Sequence, residues 1–217
     1  MILFKAHPDS KPKDGIISKY LNRYISSLFT KIIIKTNITP NRITFIFLII
    51  FSSLLILSGI LKSVFLTGLF YQLASIFDGV DGELARKKKL SSQGGALLDT
   101  VCDYTIDSIA AFSFGLSLTK YKINNIIILF TVSFTITTRL ITQFIVKNTR
   151  GFKRHLVRDT RDIVVFVIFI FSILTEIFKN PYIMILGLIL VNIWRWDNGI
   201  YRLHCFIKSE KINSPQN

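Results

Sequence analysis

Six long runs of apolar residues alternate with short polar or basic segments along this chain. The runs lie near residues 38–59, 62–84, 95–119, 124–147, 161–179 and 182–206. Each is close to the roughly 20 residues that a helix needs to cross the hydrocarbon core of a bilayer. The pattern therefore predicts an all-α integral membrane protein with six transmembrane helices.

A different pattern precedes the first apolar run. In residues 15–36, GIISKYLNRYISSLFTKIIIKT, apolar positions alternate with Lys19, Arg23, Lys31 and Lys35 at roughly helical spacing. A helix with one apolar face and one basic face lies in the plane of a membrane surface. We expect an amphipathic juxtamembrane helix on the inner leaflet, and a solvated linker is the alternative.

Composition and charge support a membrane protein with a defined orientation. Half of the residues are hydrophobic, yet the net charge is +14. Most of the basic residues fall on one side of the predicted spans, which the positive-inside rule assigns to the cytoplasm. We therefore expect a cell-membrane protein whose N-terminus is cytoplasmic and whose residues 1–217 form a single membrane domain. Membrane lipids are expected partners, and nucleic acid is not.

Four aspartates stand inside or beside two of the predicted membrane helices. Asp78 and Asp81 are three residues apart near the end of one helix, and Asp99 and Asp103 are four apart near the start of the next. Each pair shares a helical face. One ionised Asp at a helix centre costs roughly 2.5 to 3.5 kcal/mol in the membrane, so the group needs compensation. Carboxylates suit Mg²⁺ or Mn²⁺, which in turn bind phosphorylated substrates. The alternative is a helix end with solvated charges.

Residues around the aspartates also suit a phosphorylated ligand. Gly82 and Gly95 leave room for close approach, and Arg86 offers a planar fork for phosphate oxygens. Asp107 lies one helical turn beyond Asp103, where we expect it to pair with a buried cation or hydroxyl rather than with metal. The sequence thus predicts a metal and phosphate site next to a cytoplasmic turn.

The spacing of these residues resembles that of a known family. Eight positions fit the pattern D-x2-D-G-x2-A-R-x8-G-x3-D-x3-D of the CDP-alcohol phosphotransferase (phosphatidyltransferase) family, which is far more specific than a short glycine motif. These positions are Asp78, Asp81, Gly82, Ala85, Arg86, Gly95, Asp99 and Asp103. The resemblance implies six transmembrane helices, a homodimer, and transfer of a substituted phosphate group from a CDP-alcohol donor to a polar alcohol acceptor, with release of CMP.

The resemblance also implies roles for the individual residues. Asp78, Asp81 and Asp99 would hold one Mg²⁺ ion, and Asp78, Asp99 and Asp103 would hold a second, with Mn²⁺ as a possible substitute. Asp103 would act as the general base toward the acceptor hydroxyl. The residues expected at the CDP moiety are Asp78, Asp81, Gly82, Ala85, Arg86 and Gly95.

Thr39, Pro40 and Asn41 begin the first predicted membrane helix. Pro is favoured at a helix start, and the free backbone N–H groups there attract anions. The family often carries a similar segment beside the nucleotide, so these residues are further CDP-binding candidates. An ordinary helix start explains them equally well.

Basic residues farther along the chain are candidates for the acceptor pocket. Arg139, Gln143 and Lys147 follow one another at intervals of four, which predicts a polar stripe facing the protein interior or a wet cavity. Arg158 and Arg161 lie in the next loop, and Arg195 lies within the last predicted helix. Lipid headgroup contact is the alternative for the loop residues, so Arg139 and Arg195 are the stronger candidates.

The signature does not identify the substrates. The strings DGVDGELAR and RDTRD resemble the archaeal-type branch that includes di-myo-inositol phosphate phosphate synthases, in which CDP-inositol reacts with inositol phosphate. The cytidylyltransferase domain often fused to those enzymes is not in this sequence, so a separate protein would supply the donor. Basic clusters favour a phosphorylated acceptor such as inositol phosphate.

Three alternatives to that function stay open. A phospholipid synthase would combine a CDP-linked lipid donor with glycerol phosphate or serine. A cation channel or transporter would distribute its acids across the depth of the bilayer. A purely structural membrane protein gives no reason to concentrate acids.

Overall fold

The structure is a computed structural model that describes residues 6–8, 10, 15–149 and 161–213. Within these residues the chain is helical and contains no strand. A π-helical turn, Ser18–Asn22, precedes the first helix. The helices are α1 (Arg23–Ile33), α2 (Pro40–Ile60), α3 (Val64–Lys87), α4 (Gln93–Leu118), α5 (Asn125–Asn148), α6 (Arg161–Phe178) and α7 (Pro181–Asn213).

Helices α2 to α7 coincide with the six predicted apolar runs to within a few residues, except that α7 continues to Asn213. Among the described residues, three helices are long and apolar enough to cross a membrane: Pro40–Ile60, Asn125–Asn148 and Pro181–Ser209. The other three long helices carry more charge, because α3 and α4 contain the aspartates and α6 contains Arg161, Asp162 and Glu176. The prediction of an all-α integral membrane protein is therefore confirmed.

Local sequence explains where the helices begin and end. Pro40 occupies the first turn of α2, and the hydroxyls of Ser63 and Ser92 accept hydrogen bonds from Leu66 N and Gly95 N at the starts of α3 and α4. These bonds satisfy donors that a helix start leaves open. Four lysines take a left-handed backbone conformation just beyond helix ends, where the chain must turn. They are Lys62, Lys89, Lys122 and Lys179.

Helix α3 is central to the fold because it packs against α1, α2, α4 and α6, while α5 packs against α4 and α7. Large buried side chains such as Leu55 and Phe114 fill the space between these helices. At one end of the bundle the Thr67 hydroxyl lies 2.9 Å from Ser58 Oγ and 3.0 Å from Ser117 Oγ. These contacts lie at the start of α3 and the end of α4, and the aspartates lie at the opposite ends of the same two helices.

The segment predicted to be amphipathic is helical, and its faces are arranged differently from the expectation. Ile16, Leu28 and Ile32 are more than half exposed, whereas Arg23 is buried. Arg23, which the spacing grouped with three other basic residues, is turned into the protein because α3 supplies a buried acidic partner, Glu83, at 2.9 Å. The apolar side of the helix thus faces outward, and its polar side faces the protein.

Candidate active site

Two clefts meet where α3 ends and α4 begins. The first, the α1–α6 cleft, has a volume of about 280 Å³ and is lined by the segment 15–26, by α3 and α4, and by the start of α6. The second, the α2–α4 cleft, has a volume of about 370 Å³ and is lined by α2, α3, the turn after α3 and the start of α4. Asp81, Gly82, Arg86 and Asp99 line both clefts. These four residues therefore stand between the two spaces.

All four predicted metal ligands line the α1–α6 cleft. Asp78 and Asp103 join Asp81 and Asp99 there. Asp81 is mostly buried, and its carboxylate accepts hydrogen bonds from the Thr44 hydroxyl and, at 2.5 Å, from Gly82 N. The spacing of three and four residues on adjacent helices has placed the acids on one surface.

Arg161 brings a positive charge into contact with this acid group. Its Nη1 lies 2.7 Å from Asp103 Oδ1 and 3.6 Å from Asp78 Oδ2, and its Nε donates to Asp107 Oδ1 at 2.8 Å. The sequence analysis ranked Arg161 below Arg139 and Arg195 as an acceptor candidate, and the structure places it directly against the aspartates. Position 161 begins α6, and the packing of α6 on α3 carries its side chain into the site.

Asp107 pairs with cations and a hydroxyl, as predicted. Its Oδ1 accepts from the Tyr71 hydroxyl at 2.9 Å, and its Oδ2 accepts from Arg139 Nε at 2.6 Å. Together with the bond from Arg161, these contacts satisfy a carboxylate that is only 7% exposed. Arg195 lines a small neighbouring cavity with Asp107 and Arg139. Three arginines therefore surround one buried aspartate beside the acid group.

The donor set fits a hard divalent cation in its chemistry, because it consists of carboxylate oxygens at the edge of a polar cleft. The oxygens are turned toward protein donors: Arg161 holds Asp78 and Asp103, while Thr44 and Gly82 hold Asp81. Within the described ranges, no three His, Cys, Asp or Glu side chains stand close enough together to hold an ion as they are. A cation would therefore compete with Arg161 for the carboxylates.

The α2–α4 cleft contains most residues expected at a CDP moiety. Pro40, Asn41, Ala85 and Gly95 line it together with the residues shared by both clefts. A Cβ atom at Gly95 would lie 3.2 Å from Asn41 Oδ1, so the absence of a side chain there keeps the space open.

Thr44 and Lys88, which the sequence analysis did not single out, stabilise the start of α2 next to this cleft. Thr44 lines the cleft and donates to Asp81, one turn after Asn41. Lys88 Nζ donates to the carbonyl oxygens of Thr36 at 2.5 Å and Ile38 at 2.9 Å. These bonds fix the loop before Thr39, which precedes the first residue of α2. The spacing of one helical turn from Asn41 could have identified Thr44 from the sequence. No feature of the sequence pointed to Lys88.

The structure brings some of the predicted acceptor residues together and separates another from them. Arg139 Nη1 donates to Gln143 Oε1 at 3.0 Å, and Arg195 is buried beside Arg139. Lys147 is exposed, so the prediction that it shares an inward stripe with Arg139 is wrong. Eight residues rotate a helix by about 800°, which leaves position 147 about 80° away from position 139. Arg158 lies outside the described residues.

Sequence reasoning also missed the buried acid Glu83, which lies inside the signature but at a variable position. Glu83 Oε1 accepts from Arg23 Nη1 at 2.9 Å and from Ser26 Oγ at 2.8 Å, and Oε2 accepts from Thr30 Oγ1 at 3.0 Å. Arg23 Nη1 also donates to the Gly79 carbonyl at 3.2 Å. A third acidic residue in the same apolar helix as Asp78 and Asp81 was the available signal.

Comparison with known proteins gives one family. A family model described as CDP-alcohol phosphatidyltransferase matches residues 37–194. Two curated relatives, from Thermococcus kodakarensis and Archaeoglobus fulgidus, are both named bifunctional IPC transferase and DIPP synthase, and each is 38% identical over 96 residues. The match covers 43% of this chain in both cases, and 21% and 19% of the relatives. The similar segment thus spans only about a fifth of those proteins.

Solved structures share the fold. The phosphatidylinositol phosphate synthase PgsA1 of Mycobacterium tuberculosis, solved with CDP-DAG bound, has a TM-score of 0.70 at 16% identity, covering 83% of this chain and 92% of that one. The same protein solved with manganese and citrate also has a TM-score of 0.70, at 15% identity, covering 82% and 87% of the two chains. At this identity the likeness establishes a common architecture.

Proposed function

This chain belongs to the CDP-alcohol phosphatidyltransferase family and is thus a transferase, and on that premise we propose that it passes a substituted phosphate group from a CDP-alcohol to a hydroxyl of inositol phosphate, releasing CMP. The names of the curated relatives support an inositol-containing substrate. The family relation supports the reaction class.

The observation that carries the proposal is the position of the acids between two clefts. During phosphoryl transfer, the leaving group lies on one side of the phosphorus and the attacking oxygen on the other. Asp81 and Asp99 line both clefts, whereas Asp103 lines the α1–α6 cleft and Pro40 and Gly95 line the α2–α4 cleft. The nucleotide therefore occupies the α2–α4 cleft, and the acceptor enters through the α1–α6 cleft.

On the nucleotide side, the chain provides space and hydrogen-bond donors. Gly82 and Gly95 admit the diphosphate and the cytidine close to the backbone, and Arg86 donates to phosphate oxygens. Thr39, Pro40, Asn41 and Ala85 complete this side, with backbone N–H groups at the start of α2 directed toward negative charge. These residues bind and orient the donor.

On the acceptor side, Asp103 receives the proton of the attacking hydroxyl at a carboxylate oxygen. Because Oδ1 of this carboxylate binds Arg161 Nη1 at 2.7 Å, the acceptor hydroxyl and Arg161 would compete for Asp103. The guanidinium of Arg161 suits the phosphate of the acceptor, as do the guanidinium groups of Arg139 and Arg195 nearby. Gln143 orients Arg139 through the bond at 3.0 Å.

Two divalent cations, Mg²⁺ or Mn²⁺, would be held by Asp78, Asp81, Asp99 and Asp103, and when bound they would neutralise charge on the diphosphate. These carboxylates would hold the ions beside the donor phosphates and the acceptor. Asp78, Asp81, Asp99 and Asp103 together form an acid row. Because the two clefts share Asp81 and Asp99, this acid row serves donor and acceptor together.

The proposal extends to topology. Six transmembrane helices, α2 to α7, would cross the cell membrane, with the N-terminus and both clefts facing the cytoplasm and α1 lying at the inner surface. Residues 1–217 would form one domain that assembles as a homodimer. The exposed apolar side of α1, which includes Leu28 and Ile32, supports its contact with membrane lipid.

The test is a transfer assay on the protein purified in detergent. CMP release is measured with CDP-inositol or a CDP-linked lipid as donor and with inositol phosphate, glycerol phosphate or serine as acceptor. We expect Mg²⁺-dependent release that requires inositol phosphate. Equal release with water alone, or release only with serine, would contradict the proposed acceptor.

A further inference from the structure

The segment that precedes and includes α1 forms part of the wall of the α1–α6 cleft. Gly15, Ser18, Asn22, Arg23 and Ser26 line this cleft, which also contains Asp103. Of the described residues that line the α2–α4 cleft, none comes from this segment. The wall therefore belongs to one side of the acid row only.

Hydrogen bonds to two helices, α3 and α6, hold the wall in place. Glu83 on α3 accepts three hydrogen bonds from side chains of α1, the longest 3.0 Å. Backbone N of Ser18 donates to Asp162 Oδ2 on α6 at 2.7 Å, and Gln72 Nε2 on α3 donates to Asn22 Oδ1 at 3.3 Å. Glu83 is the only one of these anchors on α3 that carries charge, and it is 1% exposed. Removing one partner of a buried ion pair is strongly unfavourable, so Glu83 dominates the attachment.

The side of the wall that faces the protein is polar but contains few charges. Ser18, Asn22 and Ser26 contribute hydroxyl and amide groups, and Ser75 of α3 adds another hydroxyl to the same cleft. Such groups both donate and accept hydrogen bonds, as the hydroxyls of a polyol do. A phosphate, by contrast, favours arginine. The wall therefore suits the carbon ring and hydroxyls of an acceptor, while the arginines suit its phosphate.

The side-chain amide of Asn22 can form further hydrogen bonds. It is 4% exposed, and its Nδ2 has no hydrogen-bond partner among the described residues, nor does Oε1 of Gln72. Reversing both amides would merely leave the other two atoms without partners, because the pair makes a single bond. A buried amide group without a hydrogen-bond partner is unfavourable, and a ligand hydroxyl that bonds to it would remove that cost.

We propose that Glu83 is a positioning residue that holds residues 15–33 against α3 as the wall of the acceptor cleft, and that Asn22 and its neighbouring hydroxyls bind the hydroxyl groups of a polyol acceptor. This inference rests on the proposed function, because it assigns the acceptor to the α1–α6 cleft. The N-terminal segment then selects the acceptor in addition to contacting the membrane surface.

Steady-state kinetics of Glu83→Ala, Glu83→Gln and Asn22→Ala test this proposal, with CDP-inositol as donor and inositol phosphate as acceptor. We expect Glu83→Ala and Asn22→Ala to raise KM for the acceptor at least tenfold and to leave KM for the donor within twofold. Glu83→Gln keeps an amide oxygen for Ser26 and Arg23, so its effect should be intermediate. Similar rises in both KM values, or no rise in either, would overturn the proposal.

Thr67→Ala is the matched control for a buried polar side chain of the same helix. Thr67 is fully buried and hydrogen-bonded, yet it lies 16 residues from Glu83, about 24 Å along α3. It should change neither KM value even if it lowers the unfolding temperature. A selective rise in acceptor KM for Thr67→Ala would also contradict the inference, because general loosening of α3 would then explain the result.

Binding measurements on the same variants do not depend on turnover. Calorimetry with inositol phosphate and, separately, with CDP should show weakened binding of the first and unchanged binding of the second in Asn22→Ala. If the unaltered protein transfers to inositol phosphate and the variants bind it normally, the wall proposal fails alone. If the unaltered protein transfers to none of the acceptors, the proposed function fails as well.

Discussion

Arg161 Nη1 and Asp103 Oδ1 lie 2.7 Å apart, which joins the first residue of α6 to the last aspartate of the signature. The same guanidinium reaches Asp78 at 3.6 Å. One cation thus links an acid of α3 with an acid of α4, in the place where the family resemblance puts metal ions. Arg161 and a bound cation therefore compete for the same oxygens.

This competition predicts that Arg161→Gln binds metal more tightly. A hydrogen bond to a charged group contributes about 1.5 to 3 kcal/mol, and each 1.4 kcal/mol corresponds to a factor of ten in affinity. We expect the affinity for Mn²⁺, measured by electron paramagnetic resonance without substrates, to rise at least tenfold. Lys31→Gln removes the same charge from an exposed position and should change the affinity little. Unchanged or weaker binding by Arg161→Gln would contradict the competition.

Gly95 and Gly94 allow a test of the α2–α4 cleft with two neighbouring positions. A Cβ at Gly95 would lie 3.2 Å from both Asn41 Oδ1 and Ser92 Oγ, whereas a Cβ at Gly94 would meet nothing within 4 Å. Both replacements by Ala favour the helix. We expect Gly95→Ala to weaken CDP binding about tenfold in calorimetry and Gly94→Ala to leave it unchanged. Equal effects of the two would argue against nucleotide in this cleft.

Asp107→Asn should destabilise the protein. The carboxylate is bound by Tyr71, Arg139 and Arg161, and its loss leaves two buried cations without their shared counter-ion. Breaking a buried pair in this way costs about 3 to 5 kcal/mol. A clearly lower thermal unfolding temperature in detergent is therefore expected.

The control for that experiment is Glu176→Gln. Glu176 is 43% exposed and pairs with Lys120 at 2.9 Å, and exposed pairs contribute about 1 kcal/mol or less. Its unfolding temperature should stay close to that of the unaltered protein. If Asp107→Asn were as stable as Glu176→Gln, the arginine cluster would not depend on Asp107.

The proposed topology predicts which side of the membrane each turn faces. Lys122 and Lys89 are both exposed and both lie just beyond helix ends, on opposite sides of the proposed bilayer. In a background without Cys102 and Cys205, Lys122→Cys should react with an impermeant maleimide in intact cells. Lys89→Cys should react only after the cells are permeabilised. The reverse labelling pattern would invert the orientation.

Hydropathy predicted the long helices well because a run of about 20 apolar residues has few other stable structures. Asp78 and Asp103 were also found from the sequence, since acids at helical spacing in apolar segments are costly and therefore conspicuous. Both predictions depend on local sequence alone. They needed no knowledge of how the helices pack.

The missed features depend on packing between distant segments. Arg23 and Glu83 are 60 residues apart, and only the docking of α1 on α3 makes them a pair. Arg161 looked like a loop residue until α6 packed on α3, and Lys147 looked inward until the rotation of α5 was known. A sequence pattern indicates which side chains are polar, but the partner of each one is set by the tertiary arrangement.

The most direct test of the acid row is CMP release by Asp103→Asn in liposomes with Mg²⁺, CDP-inositol and inositol phosphate, beside Glu176→Gln. Asn keeps the shape of the side chain and loses its ability to accept the proton, which is a contribution of about 10² to 10⁴ in rate. We expect release to fall at least 100-fold in Asp103→Asn and to be unchanged in Glu176→Gln. Release at the unaltered rate in Asp103→Asn would contradict the role of Asp103 as the proton acceptor in the transfer.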